Sequence, residues 1–301
     1  MKKLSGALLL LLASLIWGSA FVAQTSAAYS IGPFTFNASR SVLASIFLSL
    51  ILAGRRAFSK PDKDKKVPLY LSVSGGTLCG AVLFLAMMLQ QGGIASYPPE
   101  AAASGRAGFL TATYVVMIPC VQRITGKKLS LPVIIAVCGC ITGMYLLCMS
   151  GGFGKIYLGD LLELLCAAAF TAHILTIDRF GKTDGIVLSF IQFITCGILS
   201  AVGMFIFEKP DFSIILAAWL PIAYAGILSS GVAYTLQIIG QKTAEPAVAS
   251  VIMSLESVFA ALFGWLILGE LLSARELIGC ALVFISVIFA QIPDFAKMKK
   301  E

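Results

Sequence analysis

The amino-acid sequence predicts an all-α integral membrane protein: ten transmembrane helices in two inverted five-helix repeats, with both termini in the cytoplasm. Three observations carry this. Ten long apolar runs occupy most of the 301 residues. Basic residues gather in alternate connections between those runs. Pieces of the first half recur, in the same order, in the second.

The composition is 58% hydrophobic and 12% charged, with a mean hydropathy of +0.94. A soluble domain carries about 45–50% apolar and about 25% charged residues, so an ordinary soluble fold is excluded. The apolar runs are 4–23, 33–53, 68–91, 99–122, 129–149, 158–178, 185–207, 212–239, 246–268 and 274–293. Each is long enough to cross about 30 Å of hydrocarbon as a helix rising about 1.5 Å per residue. They are too long for barrel strands and show no alternation of period two. The N-terminal "MKKLSGALLLLLASLIWGSAFVA" has the make-up of a secretory signal. With nine further runs behind it, a retained first helix is the more economical reading.

The net charge of +7 invites thoughts of nucleic acid, but its distribution argues against that. With the N-terminus inside, one face receives Lys2, Lys3, Arg55, Arg56, Lys60, Lys63, Lys65, Lys66, Arg123, Lys127, Lys128, Arg179, Lys182, Lys242, Lys297, Lys299 and Lys300. The opposite face receives Lys155, Lys209 and Arg275. Positive connections stay in the cytoplasm, which places both termini there and the protein in the plasma membrane. The run "RRAFSKPDKDKK" reads as a solvated loop against anionic lipid. The expected partners are membrane lipids and a small solute, with a homodimer compatible and no nucleic acid.

The repeat appears as "LSGALLLLLASLIWGSAF" (4–21) against "YLGDLLELLCAAAFTAHI" (157–174), which sets Gly6 on Gly159 and Trp17 on Phe170. "LCGAVLFLAMMLQ" (78–90) follows on "SSGVAYTLQIIGQ" (229–241), and "GKKLS" (126–130) on "GELLS" (269–273). Two units result, 1–150 and 151–301. An odd number of spans per unit inverts the second copy in the membrane. Inverted repeats suit alternating access around a site near the midplane.

Residues Trp17 to Phe21, "WGSAF", together with "SLESVFAALFGWLILGELLS" (254–273) and the following "ELIGCALVFISVIFAQ", resemble the EamA-type family of the drug/metabolite transporter superfamily. The resemblance spans essentially the whole chain. It implies ten helices in two inverted repeats, a central cavity, and movement of small metabolites, often outward. It also places the Trp17 motif beside the cavity, where position alone would allow an interfacial anchor. Two departures stand out: Ser257 where the family commonly has proline, which puts a kink there in doubt, and Lys127 opposite Glu270.

Ionisable residues at membrane depth are expensive and mark function or pairing. They are Arg40, Arg106, Asp160, Glu163, His173 and Glu256. Arg40, Arg106 and Glu163 fall at similar depth in the outer half of their runs. Arg106 either pairs with Glu163 or Glu256, or holds a solute carboxylate with its planar fork of donors. Phe109, Thr113 and Tyr114 lie along its helix face as a wall for an amphipathic solute. Tyr234 and Gln237, with Ser230, form a second candidate face, and Trp17 a third contact. Glu256 suits an internal pair, a cation site or a proton-coupling role. Arg40, Glu163 and His173 complete the candidates for charge pairing or coupling. Asp160 reads as a cap of its helix. Gln90, Gln237 and Gln241 read as bonds between helices. Gly75, Gly76, Gly80, Gly226 and Gly231 read as close crossings, and Pro119 as a hinge.

One histidine and no C-x-x-C pair leave no metal cluster, and the cysteines read as small buried hydrophobes. No phosphate-binding Gly-rich loop is present, so no cofactor is expected and ATP-driven transport by this chain alone is excluded. An intramembrane protease lacks its paired catalytic groups, and nothing marks a channel filter. The sequence therefore predicts a secondary active or facilitative transporter of small organic metabolites, with efflux of amino acids or related carboxylates first. Export of cationic amphipathic drugs is the alternative; Arg106 speaks against it unless fully paired.

Overall fold

The computed structural model describes residues 2–28, 30–58, 68–98, 103–148, 156–268 and 273–290. The basic segment beyond Phe58, residues 269–272 of "GELLS" and the C-terminal lysines lie outside them. Helix occupies every apolar run. Helices α1 (Lys2–Ala28), α2 (Pro33–Phe58) and α3 (Leu69–Ala95) are followed by α4 in two pieces, α4a (Ala103–Thr111) and α4b (Tyr114–Ile124). Then come α5 (Leu131–Cys148), α6 (Leu158–Arg179) and α7 (Gly185–Phe207). Helix α8 runs through Phe212–Ala217, Trp219–Ala223, a π-helical stretch Tyr224–Ala233, and Tyr234–Gly240. Helix α9 has pieces α9a (Pro246–Met253) and α9b (Leu255–Leu268), and α10 is Ala274–Ala290. Eight of these helical runs are long and apolar enough to cross a membrane, and Leu131–Leu147 is a shorter apolar helix. Large apolar side chains such as Leu50, Phe205, Phe207, Leu216 and Ile288 point outward. Lipid covers such a belt at no cost, whereas in water it would drive aggregation.

The packing has a regularity. α3 lies against α6 and α7, and α8 against α1 and α2. α4 lies against α6, as α9 does against α1. α2 pairs with α7, and α5 with α10. Replacing each helix by the one five places along maps this set onto itself. At the α5–α10 crossing two glycines face each other: a Cβ on Gly279 would stand 2.6 Å from the carbonyl oxygen of Gly143. On α3, a Cβ on Gly80 would meet the Gln192 carbonyl at 2.5 Å, and on α8 one on Gly226 would meet the Arg40 carbonyl at 3.0 Å. Gly80 and Gly226 are among the predicted close crossings; the Gly143–Gly279 crossing is an additional one.

Local chemistry explains the breaks. Thr113 turns its hydroxyl onto the Leu110 carbonyl at 2.5 Å, and Ser254 bonds the Val251 carbonyl at 2.7 Å. Such back-bonding competes with the helical ladder and bends it. Helix α4 accordingly parts at Ala112–Thr113; the predicted hinge, Pro119, sits inside the unbroken α4b. Helix α9 parts at Ser254, three residues before Ser257, so this break forms without a proline at 257. In α8, Pro221 has no N–H for the Ala217 carbonyl, and the helix interrupts at Ala218.

The two ends of the bundle differ. One gathers Arg55 with Asp184 (2.7 Å), Lys127 with Asp178 (3.5 Å), and Lys242, whose ammonium donates to the Thr183 carbonyl. Partial burial lowers the Lys242 pKa, and the Asp184 charge opposes that. This basic end opens into a polar recess of about 550 Å³ between α4b, α6, α8 and α9a. At the other end, Glu208 beyond α7 accepts the N–H groups of Phe34 (2.9 Å) and Thr35 (2.8 Å), capping α2 from another helix.

Candidate functional site

The two helices that break in mid-span meet at the centre. Thr111 and Met253 are the last residues before the breaks, and Tyr114 and Glu256 follow them. The Tyr114 hydroxyl donates to Glu256 Oε1 at 3.0 Å, joining α4b to α9b. All four line one cavity. Its aromatic wall is Trp17 and Phe21 from α1, Phe170 from α6 and Tyr234 from α8. Trp17 and Tyr234 meet edge to face at 4.9 Å. Trp17 and Phe170, which the repeat aligns with each other, thus face the same space. The cavity measures about 30 Å³. That is room for one or two water molecules, so the site's own side chains nearly fill it in this conformation.

Arg40 supplies the cavity's positive charge. Its side chain is only 2% exposed. Nε donates to Ser230 Oγ at 3.0 Å, one terminal nitrogen to Ser229 Oγ at 2.9 Å, and the other to Gln24 Oε1 at 3.4 Å. The Phe36 ring lies 5.6 Å from its guanidinium carbon. Among the described residues no carboxylate forms an ion pair with it. The π-helical stretch of α8 produces this arrangement, presenting two consecutive serines to one guanidinium. Wide helical turns of this kind recur at functional sites. Gln237, one turn after Tyr234, also lines the cavity, with its buried Oε1 unpartnered.

Arg106 lies elsewhere. It does not pair with Glu163 or Glu256, and it is not part of the cavity wall. It grips Asp160 with two bonds, Nε to Oδ1 at 2.6 Å and a terminal nitrogen to Oδ2 at 2.8 Å. Tyr97 donates to the same Oδ1 at 2.9 Å, and the Tyr157 ring lies 5.0 Å from the guanidinium carbon. Burial, then the bond to Asp160, raises the Tyr97 pKa, which keeps this phenol a donor. Asp160 also accepts the Tyr157 N–H at 2.9 Å, so its capping role holds and a second role is added. The cluster ties α3, α4a and α6 at the end opposite the basic recess.

The other predicted residues divide. Phe109 stacks edge to face on Tyr145 at 6.2 Å, and Thr113 bonds its own helix, so neither faces the cavity. His173 is fully buried against Gln192, Nε2 to Oε1 at 2.9 Å, outside the cavity wall. Glu163 is fully buried, with Oε2 taking the Thr111 hydroxyl at 2.7 Å. Gln90 and Gln241 do bond between helices, to Thr111 and to the Ile174 carbonyl. Cys120 and Cys138 face outward rather than inward. Among the described residues no group of three metal-ligating side chains exists. Sequence reasoning missed Gln24, Thr111, Phe170, Ser229 and Met253. The alignment of Phe170 with Trp17 was the available signal for one of them.

Known proteins resemble the chain over nearly its whole length. The sequence profile of the EamA-like transporter family matches residues 4–149 and again residues 157–291. A protein named "Uncharacterized transporter" from Archaeoglobus fulgidus is 30% identical over 293 residues, covering 97% of this chain and 87% of its own. The "Uncharacterized transporter YoaV" of Bacillus subtilis is 24% identical over 297 residues, covering 95% and 96%. A solved crystal structure, 21% identical and covering 96% of each chain, superposes with a TM-score of 0.77 and shares the fold. With apolar helices enough for a multi-pass membrane protein and a polar cavity between two broken ones, the chain belongs to the EamA-like transporter family, within the drug/metabolite transporter superfamily.

Proposed function

We propose that this transporter moves small organic metabolites, first amino acids and related carboxylates, out of the cell across the plasma membrane by alternating access. Two inverted five-helix units, 1–150 and 151–301, exchange around the central cavity. The symmetric packing and the corresponding breaks in α4 and α9 support that plan, because paired discontinuous helices mark transporter sites. The observation that carries the solute class is Arg40: a buried guanidinium on the cavity wall, held by two hydroxyls and an amide oxygen, with no described carboxylate paired to it. A guanidinium fork matches a carboxylate. The anchor is thus Arg40, while Arg106 is structural. Glu256 faces the same space and suits an ammonium group. Glu256 with the aromatic wall also favours the second reading, export of cationic amphipathic compounds, and Arg40 opposes it by repulsion.

The test is flux through liposomes holding purified protein, with labelled glycine, L-phenylalanine, succinate and the cation ethidium. L-Phenylalanine or succinate is expected to move, and Arg40→Ala to lower that flux about tenfold or more, as loss of a charged hydrogen-bonding anchor does. Ethidium flux that survives Arg40→Ala selects the second reading instead.

A further inference from the structure

Glu163 belongs to neither the cavity wall nor the Arg106–Asp160 cluster, yet it bonds a residue of the first and lies within electrostatic reach of the second. Oε2 accepts the Thr111 hydroxyl at 2.7 Å, and Oε1 has no hydrogen-bond partner among the described residues. The carboxyl group sits against α3, where a Cβ on Gly93 would stand 2.6 Å from Oε1. The charged and titratable groups around it are Asp160 and Cys166 on α6 itself and Tyr97 just beyond α3, with Arg106 of α4a behind Asp160 and Glu256 of α9b beyond Cys166. Arg106 is bound to Asp160, and no described cation pairs with Glu163. A buried carboxylate with one donor and no counter-ion is costly.

We infer that Glu163 is a proton-exchange site that sets, through the Thr111 hydroxyl, whether the cavity wall can donate a hydrogen bond to a solute. This rests on the transporter reading of the cavity. A hydroxyl has one hydrogen and two lone pairs. Thr111 lines the cavity and accepts from Gln90 Nε2 at 3.4 Å. While Glu163 is a carboxylate it takes the single Thr111 hydrogen. Once a proton adds to the carboxylate, the new O–H donates to Thr111 instead and releases that hydrogen toward the cavity. A solute acceptor, such as the carboxylate anchored by Arg40, then binds together with the proton. Thr111 is also the last residue of α4a, so the exchange acts where the helix is broken.

Two measurements test this. Infrared spectra of the whole protein are recorded across a pH series with no solute present. A carboxylic C=O band that titrates, vanishes in Glu163→Gln and persists in Glu256→Gln is expected; the absence of any titrating band that depends on Glu163 overturns the inference. L-Phenylalanine and succinate are then titrated onto the protein at each pH. In the wild type, affinity is expected to rise about tenfold as the proton binds, the worth of one charged hydrogen bond. Glu163→Gln, whose amide donates to Thr111 at every pH, is expected to keep the tight affinity with no pH dependence. Glu163→Asp guards against misfolding and is expected to retain a titrating band at a shifted pH. Equal pH profiles in wild type and Glu163→Gln sink the inference while leaving the transporter reading intact. If no solute moves, that reading fails, and the infrared titration still decides Glu163.

Discussion

Arg106 and Asp160 lie 54 residues apart in the chain but share two short bonds, with side-chain exposures of 11% and 8%. Removing one partner of so buried a pair strands the other. Asp160→Asn is therefore expected to destabilise the purified protein by about 3 kcal/mol. Tyr97→Phe, which removes one bond to a charged acceptor, is expected to cost about 1.5 kcal/mol. Thermal unfolding in detergent measures both, and a Tyr97→Phe loss as large as the Asp160→Asn loss would contradict this assignment. The sequence shows that charges at membrane depth need partners, but not which. Asp160 and Glu163 are three residues apart on one helix face, so a single turn decides which of them Arg106 meets. Arg40 was legible as a buried charge. Its place in the cavity was not, because the serines that hold it come from a π-helical stretch whose register departs from the regular helix used to read faces.

At the scale of elements, the apolar runs were legible because length and hydropathy alone set them, and each is helical. The breaks were not, since proline drew the eye while Thr113 and Ser254 bend their helices through side-chain bonds that any mid-helix hydroxyl can make. The glycines were read correctly as crossings, since absence of a side chain is visible in sequence. Their energetic weight can be measured. A Cβ at Gly279 would lie 2.6 Å from backbone and 2.8 Å from the Leu147 nitrogen, atoms that cannot rotate away. Gly279→Val must push α5 and α10 apart, at a cost of about 1–3 kcal/mol. Leu277→Val, on the outward face of the same helix, is expected to change stability by less than about 0.5 kcal/mol. Equal losses in the two variants, read by thermal unfolding, would falsify the close-packed crossing.

For the whole molecule, the two ends are unequal in this conformation. A recess of about 550 Å³ opens at the basic end, the central cavity is narrow at about 30 Å³, and the Arg106–Asp160–Tyr97 cluster joins the end of α3 to α4a and α6 at the far end. The repeat in the sequence leads to the expectation of two similar halves, but no residue pattern states which end is the narrower. Under the proposed alternating access, the far-end cluster has to separate when the basic end closes. Asp160→Asn removes the charge that holds it and is expected to shift the population toward the opposite opening. Thiol accessibility reads this directly, in a background where the outward Cys120 and Cys138 and the remaining cysteines are replaced by serine. Ala103→Cys, buried on α4a behind the cluster, is expected to react slowly with a membrane-impermeant maleimide, and Ala244→Cys in the recess quickly. Adding Asp160→Asn is expected to speed the first and slow the second together. A rise at Ala103→Cys with no fall at Ala244→Cys would mean that the cluster merely frays, and that the two ends are not coupled through it.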